Sequence, residues 1–134
     1  QFQLLAVERE AVVGVEGEAG LVARARDNAA RNGIGNVEYH AADLFADGRG
    51  SAWADARYDL LLLDPPRAGA EQVLAYLPRR EVRRVVYVSC HPASLARDAG
   101  ILVRERGFVL SAAGVMDMFP HTAHVESIAV FDRA

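Results

Sequence analysis

Short apolar blocks alternate along this chain with stretches in which apolar and polar positions recur at helical spacing. Val12-Val13-Gly14-Val15-Glu16 predicts a strand, and the spacing that follows predicts a helix over Ala19 to Asn32 with Gly33 placed to terminate it. Val37-Glu38-Tyr39-His40 predicts a second short strand, and the Gly- and Asp-rich stretch from Ala46 to Arg57 a loop with one helical turn around Trp53. Tyr58 to Leu63 is nearly continuous in apolar residues and is halted by Asp64-Pro65-Pro66, as expected of a strand covered on both faces. Next come a helix over Glu71 to Leu77, a strand over Val85 to Val88, and a long helix over Leu95 to Arg106 closed by Gly107. Phe108 to Val115 and Val125 to Phe131 predict a terminal antiparallel hairpin joined through Met116 to Thr122. This order predicts an α/β domain with a mostly parallel sheet.

At 134 residues and 51% hydrophobic content, the chain has the size and apolar content of one domain, residues 1–134. Its formal net charge of -3 excludes a general basic surface of the kind that binds nucleic acid without sequence preference. Any such partner would need local basic patches or help from outside this chain; arginines cluster at Arg79, Arg80, Arg83 and Arg84 and again at Arg104 and Arg106, either as phosphate contacts or as a solvated face. One cysteine, no cationic leader and no apolar run of membrane-spanning length predict a soluble, cytoplasmic protein without membrane partners. Gln1 opens the sequence without an initiator methionine, which reads as an N-terminally truncated piece.

In open α/β sheets ligands collect at the carboxyl ends of strands, and here those ends carry acids or the cysteine. Glu16 either accepts the hydroxyls of a ribose or is a helix-start acid favourable to the dipole. Asp43 either accepts from an adenine amino group or is a plain loop aspartate. Asp64-Pro65-Pro66-Arg67 makes a stiff turn with two donors removed, suited to a rigid wall, and Arg67 can pair with a phosphate or carboxylate. Cys90 lies in Ser89-Cys90-His91-Pro92, between a predicted strand and a predicted helix. A thiol there can feel the positive end of the helix dipole, which favours thiolate, whereas a lone cysteine elsewhere packs as a small hydrophobe. His121 and His124 suggest a metal, but no third ligand converges in the sequence, so none is expected. Glu126, inside an otherwise apolar strand, is either on the exposed face or a functional carboxylate.

Three motifs, Asp64-Pro65-Pro66-Arg67-Ala68-Gly69, Ser89-Cys90-His91-Pro92-Ala93-Ser94-Leu95-Ala96-Arg97-Asp98, and Asp117-Met118-Phe119-Pro120-His121-Thr122 with His124-Val125-Glu126, together resemble those of the RNA uridine-5 methyltransferases. The ending resembles the 23S rRNA branch more closely than the tRNA branch. The resemblance implies a Rossmann-like sheet, S-adenosyl-L-methionine as cofactor and an RNA substrate, 23S rRNA before tRNA, methylated at uridine carbon 5. By this likeness Cys90 is the nucleophile toward carbon 6 and Glu126 the base that removes the carbon 5 proton. Gln1, Glu16, Asp43 and Asp64 take cofactor contacts, with Asp64 between cofactor and base, and Arg67 faces the substrate.

The chain departs from the family pattern in two places. His91 stands where the family usually has asparagine. The family's first strand and glycine-rich turn would precede Gln1, so weak or absent cofactor binding by this stretch alone is expected. Val12 to Glu16 would then pair directly with Leu60 to Leu63, or a second copy would fill the gap as a homodimer. The competing reading is a non-catalytic α/β binding or scaffold module in which Cys90 is merely packed.

Overall fold

In the computed structural model the described residues are 10–76, 81–117, 121–122 and 124–134. The chain divides after Asp47 into two compact units.

The first unit is a β-α-β element. Strands β1 (Val12–Glu16) and β2 (Val37–Ala41) run parallel, from Val12 opposite Val37 to Glu16 opposite Ala41, joined by helix α1 (Ala19–Arg31). Val22 and Ala29 are seven residues apart, two helical turns, so both face the sheet and pack with Tyr39 over Ala25, Ile34 and Val37. Gly14 is the partner of Tyr39 in the ladder, and a Cβ there would lie 2.8 Å from the tyrosine ring. A side chain at position 14 and the aromatic at 39 therefore exclude each other. Gly33 ends the helical segment in a left-handed turn with φ 66°.

The second unit holds helix α2 (Ala52–Asp55), strand β3 (Leu60–Leu63), helix α3 (Glu71–Tyr76), strand β4 (Arg84–Ser89), helix α4 (Pro92–Glu105) and strands β5 (Phe108–Met116) and β6 (Glu126–Arg133). Its sheet has the order β3-β4-β6-β5. β3 and β4 are parallel; β6 is antiparallel to both β4 and β5, which gives the expected terminal hairpin. A register shift between Leu110 and Ala112 bulges β5. Buried positions alternate along β4, where Val85, Tyr87 and Ser89 face inward, and Phe131 of β6 is the cross-strand partner of Val85. Tyr87, Phe131, Val85 and Leu102 of α4 are the fully buried apolar side chains of this unit.

The structure differs from the sequence expectations at two points. β3 is half-buried, with Leu63 alone buried, where a strand covered on both faces is expected; within its unit it is the edge strand of the described sheet. Helix α4 begins at Pro92 rather than Leu95: proline at the first helical position loses no intrahelical hydrogen bond, and His91 supplies the cap. No described helix is long and apolar enough to cross a membrane.

Candidate active site

The ladders of the second unit bring three candidate residues to one edge of the sheet. Leu63, the last residue of β3, is the partner of Tyr87, so Asp64 is the next position along, level with Val88. Ser89, the last residue of β4, is the partner of Ser127 in β6. The ladder ends there: Cys90 is the first residue after β4 and Glu126 the first residue of β6, each one position beyond that last pair. The cysteine thus follows the end of β4, with the end of β3 on one side and the start of β6 on the other.

The cysteine-bearing turn is held by the Ser89 side chain. Ser89 Oγ donates to the His91 carbonyl at 2.9 Å and accepts from the His91 N–H at 3.0 Å, so the chain folds around Cys90 and leaves it exposed at the apex. His91 is the N-cap of α4: its Nδ1 accepts from the Ser94 N–H at 3.3 Å and lies 2.8 Å from Ser94 Oγ. This accounts for the departure from asparagine, since a side-chain oxygen or an imidazole nitrogen can fill the same capping place. We expect His91→Asn to keep the thermal stability of the parent and His91→Ala to lower it by about 1 kcal/mol in denaturant titration.

The Asp64-Pro65-Pro66-Arg67 turn is anchored downstream of its prolines. Ser94 Oγ donates to the Arg67 carbonyl, Arg97 Nη2 donates to the Ala68 carbonyl at 2.8 Å, and Asp98 Oδ2 accepts from the Ala70 N–H at 2.7 Å. Gly69, between them, has φ 86°, and a Cβ there would lie 2.5 Å from Arg97 and 2.6 Å from Asp98. Tyr87 O–H donates to the same Asp98 oxygen at 2.5 Å, and Arg97 Nε to the other at 2.9 Å. Burial and then the bond to Asp98 push the Tyr87 phenol well above its ordinary pKa. Ser94, Asp98 and Leu102 form one buried stripe of α4 at four-residue intervals. These anchoring side chains had no assigned role in the sequence reading. The available signal was a serine and an aspartate at helix spacing in register with a core leucine.

Asp64 and Arg67 are both exposed. Partial burial still raises the Asp64 carboxyl above the usual carboxylate range, as expected for an acid next to a protein wall. Glu126 is half-buried at the start of β6, paired with Met116 of β5. In the first unit, Glu16 and Asp43 both lie at the carboxyl end of the β1–β2 pair, where Ala42 N–H donates to the Glu16 carbonyl at 3.0 Å. Each also serves its own turn: Glu16 Oε1 accepts from Glu18 N–H at 3.1 Å, and Asp43 Oδ1 from Phe45 N–H at 2.9 Å. Gln1 and the Met118-Phe119-Pro120 segment lie outside the described residues, as do Arg79 and Arg80. Arg84 is engaged by Asp132, its cross-strand partner, at 2.6 and 3.1 Å, and Arg106 donates to the Ala75 carbonyl at 3.2 Å. Among the described residues no group of three or more His, Cys, Asp or Glu side chains could hold a metal ion.

The model of the tRNA (uracil-5-)-methyltransferase family matches residues 4–134. The chain belongs to that family. It is 66% identical over 130 residues, 97% of this chain, to the 23S rRNA (uracil(1939)-C(5))-methyltransferase RlmD of Xanthomonas oryzae, and 66% identical over 122 residues to its Stenotrophomonas maltophilia counterpart. The chain spans 29% and 28% of those two relatives. Among solved structures, it resembles magnesium protoporphyrin IX methyltransferase from Synechocystis with TM-score 0.69 and 19% identity, covering 98% of this chain and 63% of that one. It also resembles TrmN from Thermus thermophilus, with TM-score 0.64 and 21% identity over 92% of this chain and 36% of that one. At such identities the likeness is one of fold: the Rossmann-like α/β methyltransferase sheet.

Proposed function

We propose that this chain carries the catalytic residues of an S-adenosylmethionine-dependent enzyme that methylates carbon 5 of a uridine in RNA, 23S rRNA in preference to tRNA. The observation that supports the reading is the β4–β6 ladder of a family member, whose last pair is followed directly by an exposed thiol on one strand and preceded directly by a carboxylate on the other. The rRNA preference rests on the 66% identity to relatives named for 23S rRNA. A cytoplasmic location suits an enzyme whose relatives are named for 23S rRNA.

Carbon 5 of uracil is a poor nucleophile. Addition of the Cys90 thiolate to carbon 6 pushes the C5–C6 electron pair toward the carbon 4 carbonyl and makes carbon 5 electron-rich. When bound, S-adenosylmethionine supplies an electrophilic methyl group for that carbon. The residues present suit such a group: in the first unit the Glu16 and Asp43 carboxylates suit ribose hydroxyls and an adenine amino group, and in the second Asp64 is an exposed acid directly after β3. After transfer, the Glu126 carboxylate takes the proton from carbon 5, the C5–C6 double bond re-forms, and Cys90 leaves as thiolate. The target uridine has to be extruded from any helical stack to reach the thiol, and Arg67 at the adjoining turn suits its phosphate.

Tritium release tests the reading at the atom concerned. With RNA labelled at uridine carbon 5, methyl transfer should release tritium to water only when S-adenosylmethionine is present, and faster from 23S rRNA than from tRNA. Methylated RNA without tritium release would place the methyl group elsewhere and overturn the assignment.

A further inference from the structure

We infer that Asp98, acting with Ser94 and Arg97, is a positioning group that holds the Asp64–Arg67 turn in register with the cysteine-bearing start of α4. The inference rests on the uridine-methylation reading and adds to it three residues that act through the backbone of the turn. Asp98 is fully buried, and a buried carboxylate is costly unless its oxygens are satisfied. Its donors come from three places: the Ala70 backbone after β3, the Tyr87 phenol on β4, and Arg97 on its own helix.

The anchoring has a direction. Pro65 and Pro66 offer no N–H, so the turn that carries Asp64 cannot be secured by donation from those residues. Ser94, Arg97 and Asp98 occupy one face of α4 at spacings of three and four residues, and they bond in order to the backbone of Arg67, Ala68 and Ala70. Gly69 passes between Arg97 and Asp98 where no side chain fits. The same helix begins at Pro92, two residues after the thiol, with His91 bonded to Ser94. One helix face therefore ties the wall beside the reacting base to the nucleophile. A displacement of even about 1 Å between such groups can cost about a hundredfold in rate.

Tyr87 provides the comparison, because it bonds the same Asp98 oxygen and meets the turn segment only at the Ala70 backbone, not at Arg67 or Ala68. The experiment compares Ser94→Ala, Asp98→Asn and Tyr87→Phe in the full chain, measuring kcat and KM for RNA, thermal stability, and the rate of Cys90 adduct formation with 5-fluorouridine RNA. Ser94→Ala and Asp98→Asn should lower kcat and the adduct rate by about ten- to a hundredfold with KM within about twofold. Tyr87→Phe should stay within about twofold of the parent in kcat even where it loses as much stability. If kcat follows stability across all three variants, the network is purely structural and the inference is overturned. Ser94→Ala removes a single hydroxyl and keeps the comparison decisive should Asp98→Asn fail to fold. A parent protein that forms no Cys90 adduct at all overturns the functional reading, and this inference with it.

Discussion

Replacing Cys90 with alanine is expected to lower methyl transfer to RNA by at least about a thousandfold, about 4 kcal/mol of transition-state stabilisation. The loss should appear in kcat, with stability nearly unchanged, because Cys90 is exposed at the apex of a turn whose hydrogen bonds are made by Ser89 and His91. Glu126→Gln gives the complementary result. It keeps the size of the half-buried side chain but removes the base, so carbon 6 addition and methyl transfer proceed while the carbon 5 proton stays in place. Elimination then stalls, and ordinary uridine RNA should remain covalently attached, visible as a slow-migrating band under denaturing conditions. The double variant Cys90→Ala with Glu126→Gln should show no band. An attached band in that double variant would assign the bond to another nucleophile.

The largest effect on stability is expected at Phe131. Its ring is fully buried in β6, opposite Val85 of β4 and Leu110 of β5, so truncation to alanine opens a cavity that three elements of a sheet cannot readily close. Such a substitution costs about 3–5 kcal/mol. For a chain of this size each kcal/mol moves the melting temperature by roughly 3–6 °C, so a fall of about 10–25 °C is expected by calorimetry. A fall below about 5 °C would mean that the sheet centre is not the main core of the second unit. Phe131→Leu, which refills most of the volume, should recover more than half of the loss.

Much of this architecture is legible in the sequence, because each element carries a local signal. β1 is marked by its apolar run, α1 by residues at seven-residue separation and a terminating glycine, and β3 by the prolines that stop it. The site residues Cys90 and Glu126 are legible as types in motifs, but not their juxtaposition. That depends on β6 pairing with β4 rather than lying at the sheet edge, and the ladder of an antiparallel return is not written in either strand alone. The apolar spacing begins the last helix at Leu95, whereas proline is permitted in the first helical turn and His91 caps the helix, so α4 starts at Pro92. β3 reads as fully covered because four leucines in a row carry no alternation, yet of the four only Leu63 is buried among the described residues. Asp98 illustrates a different limit: a charged residue on a helix normally marks the solvent face, and only the donors arriving from Ala70, Tyr87 and Arg97 reveal a buried anchor.

The central claim is that Cys90 attacks carbon 6 of a uracil whose carbon 5 proton must leave afterwards. RNA with 5-fluorouridine at the target position tests it most directly, because fluorine cannot be removed as a proton and the adduct is held after methyl transfer. Mass spectrometry of the digested complex should find the modified nucleotide on the peptide containing Cys90, in an S-adenosylmethionine-dependent manner and absent from Cys90→Ala. An active protein that gives no adduct, or one that joins the RNA through a different residue, would contradict the account.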